Sequence, residues 1–277
     1  MADSYTSYRT AMNDAWRGWW VNWPLSRHIR VGDVFGTSDD TLSTAGDLAD
    51  RGVTFELATA VPQADFTYDA QGTAKVEFKL AGAAGPPVFK ALADVDAGAL
   101  VSFSRSTSAL VLYTGLTQQG MRDTRSVATG LVRRYWSDDW ADDLIVVHDV
   151  ITATGATVLA SATTDASAEL RAAAKVGAGP ITLADLSGTA ALARSDGLGL
   201  QWVGTQATPF FRVFRLHRTW LSNIKVKYPK QDVKGAAPEP IPPLLLEEAA
   251  DAPDQVLEEV PPGEQPTAAR DEEEAAR

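Results

Sequence analysis

Residues 212–234 carry seven basic side chains against a single acid, Asp232, the densest positive charge in the chain. Arg212, Arg215, Arg218, Lys225, Lys227, Lys230 and Lys234 alternate with the apolar residues Val213, Leu216, Trp220, Ile224, Val226 and Tyr228. Cations on an apolar frame can neutralise phosphate, so this stretch suits a nucleic-acid backbone or anionic lipid headgroups, with Arg212, Arg215, Lys225 and Lys227 as the contacts. It also suits a solvated edge strand with no ligand. A second group is Trp16, Trp19 and Trp20, with Trp23 close behind. Indoles favour the membrane–water layer, where the ring and its N–H are both satisfied. The same residues follow Tyr5, Tyr8 and Met12 at helical spacing and equally suit a helix face packed on a core. A third group is Leu244, Leu245 and Leu246, three successive leucines within an acidic, proline-rich stretch. In solvent such a run needs a surface to dock on.

Catalytic chemistry has no comparable concentration. His28, His148 and His217 are far apart, and His148 falls in an apolar run that suits a satisfied core residue. There is no Gly-x-Ser-x-Gly elbow, and no phosphate loop, dinucleotide fingerprint or His-Glu-x-x-His motif. Asp138, Asp139, Asp142 and Asp143 cluster, but without the spacing of a calcium loop. Cysteine is absent, which excludes disulfides, thiolate metal sites and a cysteine nucleophile. The expectation is a non-enzyme with no metal and no cofactor.

The net charge of −11 over 277 residues is unevenly spread. From residue 236 onward there are 12 acids against Arg270 and Arg277, so the remainder is close to neutral. Eight of the 15 prolines lie in the same segment. Such a composition buries too little apolar surface to offset its ordering entropy. Residues 235–277 are therefore expected to be a separable, disordered acidic tail. Val256, Leu257 and Val260 form a weaker second apolar patch within it. The first residues lack the layout of a secretory signal, and no apolar run is long enough for a membrane helix, so a cytoplasmic location is expected.

Positioning these groups requires both helices and ribbons. Residues 3–20 suit a helix with Asp3 or Ser4 as its cap. Residues 45–51 suggest a short helix and residues 53–57 a strand. Residues 75–80 alternate cleanly, with Lys75, Glu77 and Lys79 on one face and Val76, Phe78 and Leu80 on the other. Strands follow at 100–104 and 109–113. The period then changes: Met121, Val127, Leu131 and Tyr135 predict a helix over about 118–135. From residue 144 the chain returns to ribbon, with an expected break at Gly155, a polar break at 163–165, and residues 167–175 taken as strand. Residues 189–194 and 198–203 are expected to form a hairpin, and 210–218 a further strand. Leu110, Val111, Val146, Val147, Phe211 and Val213 are the expected core. The fold class is α+β: a twisted, mostly antiparallel sheet with flanking helices over residues 1–234, followed by the acidic tail.

This order of elements resembles the pore-forming domain of gasdermins over about residues 30–216. Gly32-Asp33-Val34 is similar to that family's early Gly-Asp dipeptide. Residues 74–115 and 152–205 resemble its two ribbon regions. Residues 117–136 resemble the intervening helix, 144–150 the buried strand after it, and 207–213 the closing strand. Bacterial gasdermins are expected to carry an N-terminal cysteine for lipidation, which this chain lacks. The resemblance implies a protein that rests in the cytoplasm and is activated by a protease that removes the C-terminal tail. It then meets membrane lipids, extends its ribbons into β-hairpins and closes into a homo-oligomeric pore in cell death or defence. Trp16, Trp19, Trp20, Arg212, Arg215, Lys225 and Lys227 would then contact lipid, and Leu244, Leu245 and Leu246 would hold the tail as an inhibitory latch. Nucleic acid is the less favoured partner. The alternative is a soluble cytosolic binding or interaction protein with no membrane activity.

Overall fold

Two long strands, β10 (Leu144–Ser161) and β13 (Leu198–Leu216), pair antiparallel along nearly their whole length and form the spine of the molecule. The computed structural model describes residues 2–37, 41–81, 89–93, 96–172, 182–187, 190–228 and 240–266. On its other side β10 is covered in three stretches. These are β2 (Asp33–Gly36) at residues 144–146, β9 (Thr117–Gly120) at 149–152, and β8 (Ala109–Thr114) at 155–160. Outside these lie β3 (Ser43–Asp47) on β2, β4 (Val61–Pro62) on β9 and β5 (Phe66–Asp69) on β8. β1 (Trp20–Val21) pairs with the far side of β13. Register shifts at Val147/Asp149, Ile151/Ala153 and Ala160/Ser161 curl this sheet, because each added residue bends and twists the strand.

A second, four-stranded sheet packs on the first in the order β12 (Ala191–Asp196), β11 (Ser167–Arg171), β7 (Gly98–Phe103), β6 (Ala74–Lys79). Every strand pair in the molecule's two sheets is antiparallel among the described residues. The class is therefore α+β, as the sequence predicts. β10 is apolar without alternation because both of its faces are covered. Val146 enters a core under helices α2 (Arg125–Trp136) and α4 (Arg218–Lys227), whereas Ile145 and Val147 enter another around Trp20 and Phe211. Further along, Val158 faces helix α1 (Ala2–Ala15), and Leu159 faces the second sheet. All six expected core residues are buried.

Several local expectations are corrected. Residues 45–51 are not a helix: β3 runs into a turn in which the Asp47 carboxylate accepts the Asp50 N–H at 2.7 Å. Short polar side chains compete with helix in this way, and Gly46 and Gly52 take positive φ. Of residues 53–57 only Leu57 makes a bridge, to Met121. The helix predicted from 118 starts at Arg125, because Thr117–Gly120 is used as strand to cover the middle of β10. Gly155 does not break the ribbon. A side chain there would collide with Thr114 Oγ1 at 2.6 Å and Ser187 O at 2.8 Å, so glycine allows close approach within a continuous strand. Residues 189–203 form no hairpin: β12 and β13 are consecutive but belong to different sheets. The strand assigned to 167–175 is present as β11 over Ser167–Arg171, and its remainder lies outside the described residues. A short helix, α3 (Leu183–Leu186), is capped by Thr182.

β6 follows its predicted faces, but burial at its end is reversed. Phe78 and Leu80 run past the core and are exposed, whereas Lys79 is 3% exposed. Its Nζ donates to Ala93 O at 2.6 Å and Asp96 O at 3.0 Å. On the same outer face the Glu169 carboxylate accepts the N–H groups of Lys90 and Ala91 at 2.9 and 2.8 Å. Two buried charges of opposite sign thus hold Lys90, Ala91, Ala93 and Asp96 over the second sheet. The carbonyls and N–H groups supply the partners that buried ions require.

The acidic C-terminal segment is ordered over residues 240–266, which corrects the expectation of disorder there. It forms α5 (Pro243–Asp251), α6 (Pro253–Val256) and β14 (Leu257–Glu259), then a single 3-10 turn at Pro262–Glu264. Overall composition understates what a few well-spaced apolar residues do: Leu245, Ala249, Val256 and Val260 are each no more than 3% exposed. Residues 267–277 lie outside the described residues.

Candidate functional site

Arg212, Arg215, Trp19 and Trp20 meet at the surface of β13 where the C-terminal segment crosses it as a strap, and Leu245 lies at the start of that strap. The strap begins with α5, whose Leu245 and Ala249 pack in the core formed by α2 and α4. Pro243 at the first turn starts this helix without needing an N–H. After α6, β14 adds to β13 with Leu257 opposite Leu216, Glu258 opposite Arg215 and Glu259 opposite Phe214. His217 N donates to Val256 O at 2.7 Å and Val260 N to Val213 O at 2.9 Å. The strap then crosses Trp20, whose Nε1 donates to Val260 O at 2.9 Å. Burying Val256, Leu257 and Val260 contributes roughly 1.5–3 kcal/mol per side chain.

Charge follows the same path. Arg215 is 8% exposed and is gripped from both sides. Its Nε donates to Glu258 Oε1 at 2.5 Å, and its Nη1 and Nη2 donate to Glu264 at 2.7 and 3.3 Å. Burial opposes the Arg215 charge, but its bonds to Glu264 and Glu258 outweigh that and raise its pKa. The bond from Arg215 lowers the Glu264 pKa against a smaller burial effect. Such forked, charge-assisted pairs are the stronger class of hydrogen bond. Arg212 lies with its guanidinium carbon 4.4 Å from the centre of the Trp19 ring and its Nε 3.7 Å from Glu259 Oε1. Neither arginine is a free headgroup contact in this conformation.

The tryptophans occupy the core. Trp20 is fully buried and Trp19 nearly so. Trp16 stacks on Phe210 with centroids 4.7 Å apart. The helix face ends in a buried Tyr8–Tyr113 hydroxyl pair at 2.7 Å, and burial pushes the Tyr8 pKa far up. Lys225 and Lys227 are on α4, not on an edge strand, and both are exposed. Lys225 Nζ pairs with Asp142 at 2.7 Å; Lys230 and Lys234 lie outside the described residues. The three leucines separate: Leu245 is 3% exposed, Leu246 half-buried and Leu244 60% exposed. His148 lies against Phe214 with ring centroids 5.3 Å apart. Burial, with help from the Arg212 charge, lowers its pKa to about 4.

Sequence reasoning missed Gln265, Glu258, Glu264 and Arg9. The Gln265 carboxamide pairs with both backbone groups of Val21, and Arg9 Nη2 donates to Gln265 O at 2.7 Å. One signal existed: apolar Val256, Leu257 and Val260 interrupted by Glu258 and Glu259 facing a basic strand. Gln265 carries no such mark.

No protein-family model matches the chain, and no curated protein matches its sequence. Among the described residues, no three His, Cys, Asp or Glu side chains come together to hold a metal ion, and no helix is long and apolar enough to cross a membrane. The fold and site together define an α+β protein with a long curled antiparallel sheet and a C-terminal strap closing over its spine.

Proposed function

We propose that the protein is an autoinhibited membrane pore-former of gasdermin-like type, held in its resting conformation by the strap. One observation supports this most: the strap occupies the groups that a membrane-active form would use. Arg215 is neutralised by Glu258 and Glu264, Arg212 is flanked by Glu259, and Trp20 is bonded beneath Val260. Removing the strap frees two guanidinium groups beside an indole, a combination suited to an anionic interface. It also exposes one edge of β13, which in lipid must be satisfied by pairing with another strand. The activating step is cleavage by a protease between Lys234 and Asp251. A cut there leaves the strap docked by β14 and its apolar anchors, so release also requires dissociation.

The test is dye release from anionic liposomes by the intact chain, the cleaved chain and a chain ending at Lys234. The expected order of leakage is truncated, then cleaved, then intact. Replacing Arg212, Arg215, Lys225 and Lys227 by Gln in the truncated chain is expected to remove membrane binding. An inert truncated chain on every lipid composition would overturn the reading. The second reading, a soluble binding or interaction protein, is favoured by the depth at which Val256 and Ala249 are buried, since these residues belong to the main core. On that reading truncation lowers stability and produces no leakage.

A further inference from the structure

The last turns of α2 and α4 meet over a cavity of about 380 Å³ that the strap does not touch. Its walls are aromatic: Tyr135, Trp136 and Trp140 from the end of α2 and the turn after it, and Tyr228 from the end of α4. Trp136 and Tyr228 meet edge to face with centroids 6.2 Å apart, so two ring planes nearly at right angles line one corner. Asp138 and Asp142 add negative charge to the lining. Both helices direct their C-terminal ends here, where the aligned peptide dipoles favour a cation. One ring of this group already faces a cation: the Arg51 guanidinium carbon lies 5.3 Å from the centre of the Trp140 ring.

From this geometry we infer that the cavity is a binding site for a trimethylammonium group, such as that of choline. Ring faces attract positive charge but accept few hydrogen bonds, so they favour a diffuse cation without N–H donors over a primary amine. Lys225 is the built-in competitor. Its ammonium sits at the cavity beside Asp142, at 2.7 Å, and more than half of its side chain is exposed, so it can swing away. The site does not depend on pore formation, and its ligand is a cation, whereas the proposed membrane contacts of β13 are anions. Choline can arrive as the free molecule or as a lipid headgroup, and the same ring faces would hold either.

The experiment is calorimetric titration of the full chain with choline chloride at fixed ionic strength. The uncharged isostere 3,3-dimethyl-1-butanol and ethanolamine serve as controls. Choline is expected to bind at least tenfold more tightly than either. Tyr228→Leu removes one partly exposed wall and is expected to weaken choline binding about tenfold, whereas Tyr228→Phe keeps it. Lys225→Met removes the competing cation and is expected to strengthen binding several-fold. A merely structural role for Lys225 would not produce that gain. Phosphatidylcholine vesicles then identify the source: co-sedimentation that free choline competes away assigns a lipid headgroup, and choline binding without vesicle binding assigns the free molecule. No heat with choline up to tens of millimolar would overturn the inference. So would equal affinity for choline and its uncharged isostere, or a Tyr228→Leu variant that binds normally.

Discussion

The side-chain amide of Gln265 closes a two-way bridge with the backbone of Val21. Val21 N donates to Gln265 Oε1 at 3.1 Å, and Gln265 Nε2 donates to Val21 O at 2.7 Å. One side chain thus does for β1 what a neighbouring strand would do, and it fixes the end of the strap. Gln265→Leu keeps the volume but leaves two buried backbone groups unpaired, at about 1–3 kcal/mol for each. The expected outcome is a lower urea midpoint and faster hydrogen exchange at Val260 N, which bonds to Val213 O. Unchanged exchange at Val260 would show that the strap holds without its end.

Arg215 is the electrostatic centre of the strap. Arg215→Gln removes the partner that Glu258 and Glu264 share and leaves them with His217 at 3.6 Å and Arg218 at 3.5 Å respectively. Removing one member of a largely buried pair costs about 3–5 kcal/mol, much of it from the charge left behind. Glu264 is 40% exposed on its side chain, so water offsets part of that cost. Glu258→Gln with Glu264→Gln, combined with Arg215→Gln in a double-mutant cycle, isolates the coupling. Coupling near zero would mean that β14 pairing alone holds this segment.

His148 makes stability pH-dependent with a definite sign. Its folded pKa, about 4, lies below the ordinary value of 6.5. Between these values the unfolded chain binds the proton and the folded chain does not, so stability falls as pH drops from 6.5 towards 4 and levels off below. The full shift corresponds to roughly 3 kcal/mol. His148→Gln should flatten this part of the curve, measured by urea unfolding across pH 4 to 7. Asp149, whose pKa is raised by burial, acts in the opposite direction and is unchanged in the comparison. A variant with the wild-type slope would place the proton uptake elsewhere.

The spine was the legible part of the fold. The unbroken apolar run at 144–147 identifies a strand covered on both faces, because β periodicity translates directly into burial. The alternation at 210–216 suggests one covered face, whereas the structure buries both, with Phe211 and Val213 in one core and Phe214 and Leu216 in another. Gly155 was misleading because the same residue serves as a breaker and as a point of close approach, and only the neighbours Thr114 and Ser187 decide between them. β12 and β13 show a similar limit: adjacency in sequence predicts a hairpin, and the twist that sends them to different sheets has no local signature. At β13 the sequence singled out basic and aromatic residues without showing what covers them. Arg212, Arg215, Trp19 and Trp20 read as surface ligands because their partners, Glu258, Glu259 and Val260, are some 40 or more positions away in a segment whose composition argues against order.

The three leucines of α5 show what the helix adds to the sequence. Leu245 and Ala249 are four apart and share the face turned to the core, whereas Leu244 lies about a quarter turn away and is 60% exposed. Three identical residues therefore give three different results. Leu244→Asp should leave the thermal midpoint within about a degree, because exposed substitutions usually change stability by less than about 0.5 kcal/mol. Leu245→Asp buries an unpaired carboxylate against α2 and α4, which costs several kcal/mol and should detach α5. If the strap restrains a membrane-active form, Leu245→Asp also releases dye from anionic liposomes in the uncut chain, and Leu244→Asp does not. If the strap is only part of the fold, Leu245→Asp loses stability without leakage. Equal effects of the two single substitutions, on melting and leakage alike, would mean that α5 does not dock through this face, and the anchoring would then have to come from β14 and Val260.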